Sequence, residues 1–193
     1  MALKGWSVVG VSRADVRDFI EENHYSKSIN GCIADYCYAL LDSNRNMMGA
    51  MFYGRMAMAN QWRRFGNDEK SVIELRRLCC VDDTPKNAES FFIGKSLRLL
   101  RKDWTNGIVV SYADKEHGHS GVIYKASNFT KIDDIPGARV ILYDGRQYHD
   151  KTIRTKYING ELKPFAKRIK KALDSGEAVY KKTAGKHTYV YQL

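Results

Sequence analysis

The chain has 193 residues, of which 44% are hydrophobic and 28% are charged. A chain of this length can bury enough apolar surface to fold without a disulfide or a metal, and its composition is ordinary for a soluble globular protein. The sequence has no apolar run near the ~18 residues of a membrane span and no signal-peptide segment at its start. We therefore expect a cytoplasmic protein with a single domain over residues 1–193.

The formal net charge of +10 is unevenly distributed along the sequence. Residues 1–100 contain 14 Lys and Arg against 12 Asp and Glu, whereas residues 101–193 contain 18 against 10. Residues 151–186 alone contain 11 basic and 3 acidic side chains. This asymmetry favours a polyanionic partner. The alternative is that the charge only keeps the protein soluble.

Hydrophobic periodicity predicts alternating strands and helices along the whole chain. The predicted strands are residues 4–11, 31–41, 47–54, 71–81, 107–112, 139–143 and 188–191. The predicted helices are residues 13–22, 88–103, 120–127 and 162–173. The last helix has an apolar side formed by Phe165, Ile169, Ala172 and Leu173. This order predicts an α/β fold, with residues 151–193 as a basic C-terminal extension packed on the domain.

The four cysteines do not have the spacing of a disulfide pair or a zinc site. Cys32 and Cys37 fall in one predicted strand with an odd offset, and Cys79 and Cys80 are adjacent in another. Both spacings place the two thiols on opposite faces of a strand. We therefore expect structural thiols in the core.

Two segments combine features that suit contacts with DNA. The loop at residues 55–70 contains Arg55, Trp62, Arg63, Arg64 and Phe65, a mixture that suits phosphate contacts and stacking on bases. The last helix presents a basic side that suits phosphate binding, formed by Lys163, Lys167, Arg168, Lys170 and Lys171. The alternatives are a loop anchored in the core with solvated arginines, and an ordinary solvated helix face.

The order of the elements resembles that of the GNAT superfamily of N-acyltransferases. Three segments, residues 78–90, 111–114 and 118–129, further resemble the centre of Mom-type DNA-modification proteins of bacteriophages, a GNAT-like family. His24-Tyr25-Ser26 and Lys186-His187-Thr188-Tyr189 are similar to the outer parts of the same family. The resemblance covers most of the chain.

This resemblance implies a fold and a function. The fold would be a mixed, splayed central sheet flanked by helices, with its opening between the fourth and fifth strands and a basic helix near the C-terminus. The function would be an enzyme that attaches a carbamoylmethyl-type group to the exocyclic N6 amine of adenine in phage DNA, which protects that DNA from host restriction. The partner would be DNA, and the compartment the host cytoplasm.

In the GNAT fold the pantetheine arm of the donor lies along the fourth strand, and its pyrophosphate binds at the start of the following helix. The resemblance therefore implies a donor site for acetyl-coenzyme A or another activated carbonyl donor, formed by Leu78, Cys80, Lys86, Asn87, Ala88 and Glu89. The sequence departs from the superfamily here, because the glycine-rich phosphate loop is absent. Pro85 also lacks an N–H group, and Asp82 and Asp83 add negative charge. Acetyl-coenzyme A would supply the two carbons of a carbamoylmethyl group but not its nitrogen.

Five residues are candidates for catalysis: Asp114, Glu74, Tyr124, His24 and Ser26. The two carboxylates would accept a proton from the amine or orient the base, and the phenol would protonate a leaving group. His24 and Ser26 would form one wall of the acceptor site.

Each of these candidates also has a structural alternative. Asp114 would then cap a loop, Glu74 would pair with Arg76, Tyr124 would be a packed ring, and His24 would be structural. His117 and His119 share the loop of Asp114 but give too few ligands to predict a metal, and none is predicted.

Two other functions remain open at the level of the sequence. One is a GNAT N-acyltransferase that acts on a small amine or a protein lysine. The other is a non-catalytic nucleic-acid-binding protein that kept the fold, which the absent glycine-rich loop favours.

Overall fold

A computed structural model describes residues 3–105, 107–157 and 159–193. Its contacts divide the chain into two compact units. Unit 1 comprises Met1–Ala113, Ser120–Asp133 and His187–Leu193, and unit 2 comprises Asp114–His119 and Asp134–Lys186. That residues 1–193 form a single domain stays a prediction. Among the described helices, none is long and apolar enough to cross a membrane.

The described residues form ten strands and four α-helices. They are β1 (Ser7–Val11), α1 (Arg13–Asn23), β2 (Tyr36–Leu41), β3 (Met47–Gly54), β4 (Val72–Cys80), α2 (Ala88–Asp103), β5 (Ile108–Asp114), α3 (Val122–Ala126), β6 (Thr130–Ile135), β7 (Arg139–Tyr143), β8 (Arg146–His149), α4 (Pro164–Ser175), β9 (Val179–Lys182) and β10 (Lys186–Gln192). The bounds of β3, α2 and β7 match the sequence prediction residue for residue. Strands β6, β8 and β9 were not predicted, because each is short and rich in charged or polar side chains.

The main sheet has the strand order β1-β2-β3-β4-β5-β10-β6. Strands β1 to β4 pair antiparallel, whereas β4 and β5 pair in parallel and only over Val72–Ile108, Ile73–Val109 and Glu74–Val110. Beyond Glu74 the described residues of β4 and β5 have no pairing with each other. The predicted mixed sheet with an opening between its fourth and fifth strands is therefore confirmed.

A β-bulge lies on β4 beside this opening. Phe52 of β3 pairs with Arg77, and the next residue, Tyr53, pairs with Leu75, so Arg76 is an extra residue on β4. A bulge bends its strand and redirects the side chains near it. Here the extra residue, Arg76, lies two positions beyond Glu74, the last residue of β4 that is paired with β5.

Helices α1 and α2 pack on opposite faces of the sheet. Phe92, Ile93 and Leu100 of α2 lie in one apolar cluster, and Val16 and Ile20 of α1 lie in another. Each helix thus buries apolar side chains against its own face of the sheet.

All four cysteines are free. Cys79 lies in the cluster under α1 and Cys80 packs against the cluster under α2, which confirms opposite faces for that pair. The same prediction for Cys32 and Cys37 is wrong, because both lie in the cluster under α1. The N–H of Cys32 donates to the carbonyl of Ile29 in a turn, and β2 begins only at Tyr36. Burial raises the pKa of Cys37 to about 11 and that of Cys79 to about 12, as expected for structural thiols.

Unit 2 contains a separate three-stranded antiparallel sheet, β8-β7-β9, and the helix α4. Ile141 of β7 packs with Ile169 and Ala172 of α4. The buried side of α4 is Ala166, Ile169 and Ala172, whereas Phe165 is 45% exposed. The predicted inward position of Phe165 is therefore wrong. The helix begins at Pro164, and its buried positions follow the spacing i, i+3 and i+6 from Ala166.

Candidate functional site

Glu74 lies at the point where β4 and β5 separate. Its side chain is 11% exposed, and Oε2 lies 3.5 Å from Nη1 of Arg76. The same oxygen accepts a hydrogen bond of 3.3 Å from the backbone N–H of Ala57. A buried carboxylate needs such partners because burial removes its hydration. The ion pair that sequence analysis gave as the structural alternative is thus present, at the position where the sheet opens.

Arg76 is buried as deeply as its partner, with a side chain 9% exposed. It donates to the carbonyl oxygen of Arg55 at 3.1 Å and to Sγ of Cys32 at 3.4 Å. These contacts fix the guanidinium beside Glu74.

The charge of Glu74 influences two tyrosines of the same unit. Tyr124 of α3 is buried, and burial raises its pKa to about 12. The side chain of Ser111 lowers this pKa, whereas Tyr25 and Glu74 raise it further. Tyr112 of β5 also has a raised pKa, again mainly through burial and then through Glu74. The charge of Glu74 thus adds to the effect of burial on both phenols. Tyr25 and Tyr112 were not predicted as site residues, although both fall within the segments that carried the resemblance.

The ring of Tyr124 is held by other aromatic rings. Its centroid lies 5.3 Å from that of Tyr189 and 5.7 Å from that of Phe129. The hydroxyl of Tyr189 donates to the carbonyl of Ser120 at 2.9 Å. Gly121 precedes α3 with φ +76°, and a Cβ there would lie 2.3 Å from the Tyr189 ring. A glycine is therefore required where α3 meets this cluster.

The β3–β4 loop, residues 55–71, is fastened to the sheet on the side of Tyr112. Gln61 Nε2 donates to the Tyr112 hydroxyl at 2.8 Å, and Arg64 Nη2 lies 2.6 Å from Asp133 Oδ2. Trp62 is half-buried, and the guanidinium of Arg63 lies 5.3 Å from its ring. The loop is thus anchored at some positions, while the side chains of Arg55, Arg63 and Arg64 are exposed.

Met58 is an exposed apolar side chain of this loop that sequence reasoning missed. It is 56% exposed. Gln61 holds it in a turn, because Met58 N–H donates to Gln61 Oε1 at 3.3 Å and Gln61 N–H donates to the Met58 carbonyl at 3.2 Å. No periodic signal in the sequence distinguishes such a side chain from a buried methionine.

His24 and Ser26 form one hydrogen-bonded group at the end of α1. The ring of His24 is buried, and its Nδ1 accepts the N–H of Ser26 at 3.0 Å and lies 2.9 Å from the Ser26 hydroxyl. Ser26 Oγ also accepts from Nε of Arg77, a β4 residue, at 3.1 Å. The two predicted wall residues are therefore joined to β4, through an arginine that sequence reasoning did not select.

Asp114 ends β5 and belongs to unit 2 in its contacts. Its carboxylate accepts the N–H of Glu116 at 3.0 Å and lies 3.2 Å from Nζ of Lys186. Asp114 therefore caps a short loop, which is the structural role that sequence analysis gave as the alternative to catalysis. In the same segment, burial and the charge of His117 lower the pKa of His119. Among the described residues, no three metal-ligating side chains are grouped to hold an ion.

The residues of the predicted donor site lie along β4 and at the start of α2. Leu78 and Cys80 pack towards the cluster under α2, on the part of β4 that β5 does not pair with. Ala88 begins α2, and its N–H donates to the Pro85 carbonyl at 3.0 Å. Asn87 has φ +71° and gives no side-chain cap.

The free edge of β4 suits an extended donor arm, but the start of α2 is a poor pyrophosphate cradle. One of its N–H groups is already bonded, and the acidic side chain of Glu89 lies in the first turn. Lys86 is the basic residue of the turn, which also contains Asp82 and Asp83. The start of α2 therefore fits the pyrophosphate of coenzyme A poorly.

The basic side of α4 is solvent-exposed along its whole length, as its sequence predicted. Lys167 pairs with Glu161 at 2.8 Å, and Nζ of Lys163 lies 5.7 Å from the Tyr157 ring. The exposed basic residues are Lys163, Lys167, Arg168, Lys170 and Lys171.

Comparisons with known proteins agree with this architecture. Residues 5–193 match the Mom protein family. The chain is 32% identical over 145 residues to a protein of Escherichia phage Mu named methylcarbamoylase mom, a match that covers 71% of this chain and 57% of that protein. The chain thus spans little more than half the length of this relative.

Solved structures share the fold at low sequence identity. The spermidine N-acetyltransferase of Vibrio cholerae, in complex with CoA and spermine, has a TM-score of 0.51 and 10% identity, over 97% of this chain and 95% of that one. A Bacillus subtilis acetyltransferase in complex with CoA has a TM-score of 0.52 and 9% identity, over 97% of each chain. Identities this low show the fold alone. The chain has the predicted GNAT-like fold and belongs to the Mom protein family.

Proposed function

We propose that this protein is a Mom-type DNA-modification transferase that acts on the exocyclic N6 amine of adenine. The observation that carries the proposal is the position of Glu74, a buried carboxylate held by Arg76 and the N–H of Ala57 where β4 and β5 separate. Its charge contributes to the raised pKa of both Tyr112 and Tyr124. Family membership and the name of the phage Mu relative support DNA modification as the process.

Glu74 is proposed to accept a proton from the adenine amine. This amine is a weak nucleophile because its lone pair is delocalised into the ring, so orientation and removal of water must supply much of the rate. The carboxylate is buried and fixed by Arg76 and by the N–H of Ala57, which gives it a defined direction. As N6 forms its bond to the transferred carbon, its proton passes to Glu74.

Tyr124 is proposed to protonate the leaving group. With a pKa of about 12, its phenol keeps its proton at neutral pH and acts as an acid rather than as a base. When the bond between the transferred carbon and the leaving group breaks, the phenol gives its proton to that group. Protons then balance, because Glu74 gains one and Tyr124 loses one. Asp114 remains a proposed group that orients the edge of the base. His24 and Ser26 are proposed to form one wall of the acceptor site.

The donor is proposed to be an activated carbonyl compound, with acetyl-coenzyme A as one member of the class. Leu78 and Cys80 would lie along its extended part. Lys86, Asn87, Ala88 and Glu89 would lie at its polar end.

DNA is the proposed substrate, and a paired adenine must leave the duplex before its amine can be reached. We propose that Trp62 of the β3–β4 loop helps to open the stack. The exposed Arg55, Arg63 and Arg64 would contact phosphates. The basic residues of α4 would add affinity that does not depend on sequence.

Mass spectrometry of nucleosides from DNA co-expressed with the protein tests this function. A modified deoxyadenosine is expected with the wild-type chain and none with the folded Glu74→Gln variant. Unmodified DNA from cells that contain folded wild-type protein would contradict the proposal. DNA binding without any modified nucleoside would favour the non-catalytic alternative, and acetylated small amines or lysines would favour the N-acyltransferase.

A further inference from the structure

Unit 1 contains a pocket of about 440 Å³ that the proposed reaction does not use. It lies beside the β3–β4 loop, and its lining includes Arg64 and Phe65 of that loop, Ile108 of β5 and Tyr191 of β10. Neither Glu74 nor the tyrosines of the candidate site are among the described residues that line it. Its volume falls within the range of about 300–1,000 Å³ that is usual for small-molecule sites.

The chemistry of the lining is that of a site for a flat, uncharged, hydrogen-bonding group. Phe65 and Tyr191 supply aromatic rings, and Asn128, Thr130 and Gln192 supply two amides and a hydroxyl. No carboxylate and no lysine is among the described lining residues, which disfavours a polyamine. The single guanidinium, that of Arg64, is already paired with Asp133, which disfavours a polyphosphate.

The side-chain amides of Asn128 and Gln192 can form hydrogen bonds with the edge of a base. Gln192 Nε2 donates to the Gly107 carbonyl at 3.2 Å, which fixes this amide and leaves its oxygen to accept a hydrogen bond. The side-chain amide of Asn128 makes no hydrogen bond within the described residues. Asparagine and glutamine amides can form two hydrogen bonds with the donor and acceptor edge of adenine, and aromatic rings stack on the faces of bases.

The pocket is connected to the candidate active site through Arg64 and β5. Arg64 and Asp133 both act on the pKa of Tyr112, so this ion pair lies within electrostatic reach of that phenol. Ile108 and Tyr112 are on one strand and on the same face of it, about 13 Å apart at ~3.3 Å per residue. A DNA strand covers such a distance within a few nucleotides, at ~3.4 Å for each stacked step.

We propose that this pocket holds a base that flanks the target on the same DNA strand, and that it gives the protein a sequence preference at that position. The inference rests on DNA being the substrate, as proposed above. Asn128 and Gln192 would select the base by its edge, and Phe65 and Tyr191 would contact its faces.

Modification of duplexes with randomised flanks around one adenine tests the proposal. Wild-type protein is expected to prefer particular bases at one flanking position, by on the order of tenfold for each good pair of hydrogen bonds. Asn128→Gly is the sharpest variant, because residue 128 has φ +63°, which glycine adopts freely, so the amide is lost without strain. It should flatten the preference at that position only. Gln147→Gly, at an exposed amide of β8, is the matched control and should leave the preference unchanged.

Photo-crosslinking provides a readout that does not need the reaction. Duplexes with 5-iodo-2′-deoxyuridine at successive flanking positions should crosslink to Phe65 or Tyr191 from one position and not from the others. Such a crosslink without any modification would support the pocket and contradict the proposed chemistry. Modification with an unchanged preference in Asn128→Gly, and no crosslink to either ring, would overturn the pocket proposal.

Discussion

The opening between β4 and β5 and the helix α4 use charged residues in opposite ways. At the opening, Glu74 and Arg76 are buried, paired with each other and bonded to backbone groups. On α4, four basic side chains are exposed, as is Lys163 directly before it, and the buried side of the helix is formed by small and aliphatic residues. Burying an ion pair costs desolvation free energy, whereas an exposed charge keeps its hydration. The buried charges at the opening therefore call for a functional explanation, and the exposed charges on α4 do not.

We therefore expect the opening to carry out the reaction and α4 to contribute to the affinity for DNA. Changes at the opening should remove the reaction, whereas changes on α4 should weaken binding to all DNA alike.

Glu74→Gln should have the largest combined effect on activity and stability. Modification should fall by at least about 10²–10⁴-fold, because a general base contributes that much to a rate. The variant leaves Arg76 without its charged partner, so a loss of a few kcal/mol of stability, ~3–5, accompanies it. Rates are therefore compared at a temperature where circular dichroism shows both proteins folded. Glu74→Asp is the control, because it restores the charge at a shorter reach and should recover part of the activity. Near-wild-type activity in Glu74→Gln would remove this residue from the mechanism.

Asp114→Asn is expected to abolish modification with a change in stability within ~1 kcal/mol. Asparagine can still cap the loop through its side-chain oxygen, so the variant removes the charge and keeps the turn. Glu116→Gln changes a neighbouring carboxylate of the same loop and should retain activity. If Asp114→Asn is active, the carboxylate is only a cap and a partner of Lys186.

Tyr124→Phe should lower the rate by roughly 10²-fold, since the proton donor is lost while the ring keeps its packing. The loss should be smaller with donors whose leaving groups need no proton. An equal loss with good and poor leaving groups would show that the hydroxyl serves structure and not proton transfer.

Replacing Lys167, Arg168, Lys170 and Lys171 together by Gln should weaken DNA binding equally at all sequences. Each lost phosphate contact lowers the slope of log affinity against log salt by roughly 0.9. The matched control replaces four exposed basic residues of α2, Lys95, Arg98, Arg101 and Lys102. Unchanged affinity in the α4 variant would place the DNA surface elsewhere.

Trp62→Ala should have the smallest and most selective effect. It should impair modification of duplex DNA more than that of single-stranded DNA, because a single strand has already lost the pairing that extrusion must overcome. Met58→Ala, which changes the exposed apolar side chain of the same loop, is the companion variant. Equal losses on both substrates for Trp62→Ala would mark this ring as an anchor of the loop.

These regions also show which features of the structure can be predicted from the sequence. The helices α2 and α4 follow from their periodicity, and the opening of the sheet follows from the resemblance at β4 and β5. The bulge at Arg76 does not, because it arises from how β3 and β4 pair and not from either strand alone. The contacts of Arg77 with Ser26 and of Gln61 with Tyr112 join residues 51 positions apart in each case. No local pattern indicates such pairs.

The most direct test of the central claim removes the amine from the substrate. Two duplexes are incubated in lysate of cells that express the protein, so that the cellular donor is present. One contains a single target deoxyadenosine, and the other contains purine 2′-deoxyriboside, which lacks the amine, at the same position. Mass spectrometry should find an adduct on the first strand only, and only with Glu74 intact. An adduct on the strand without the amine, or none on either strand with folded, DNA-bound protein, would contradict the account.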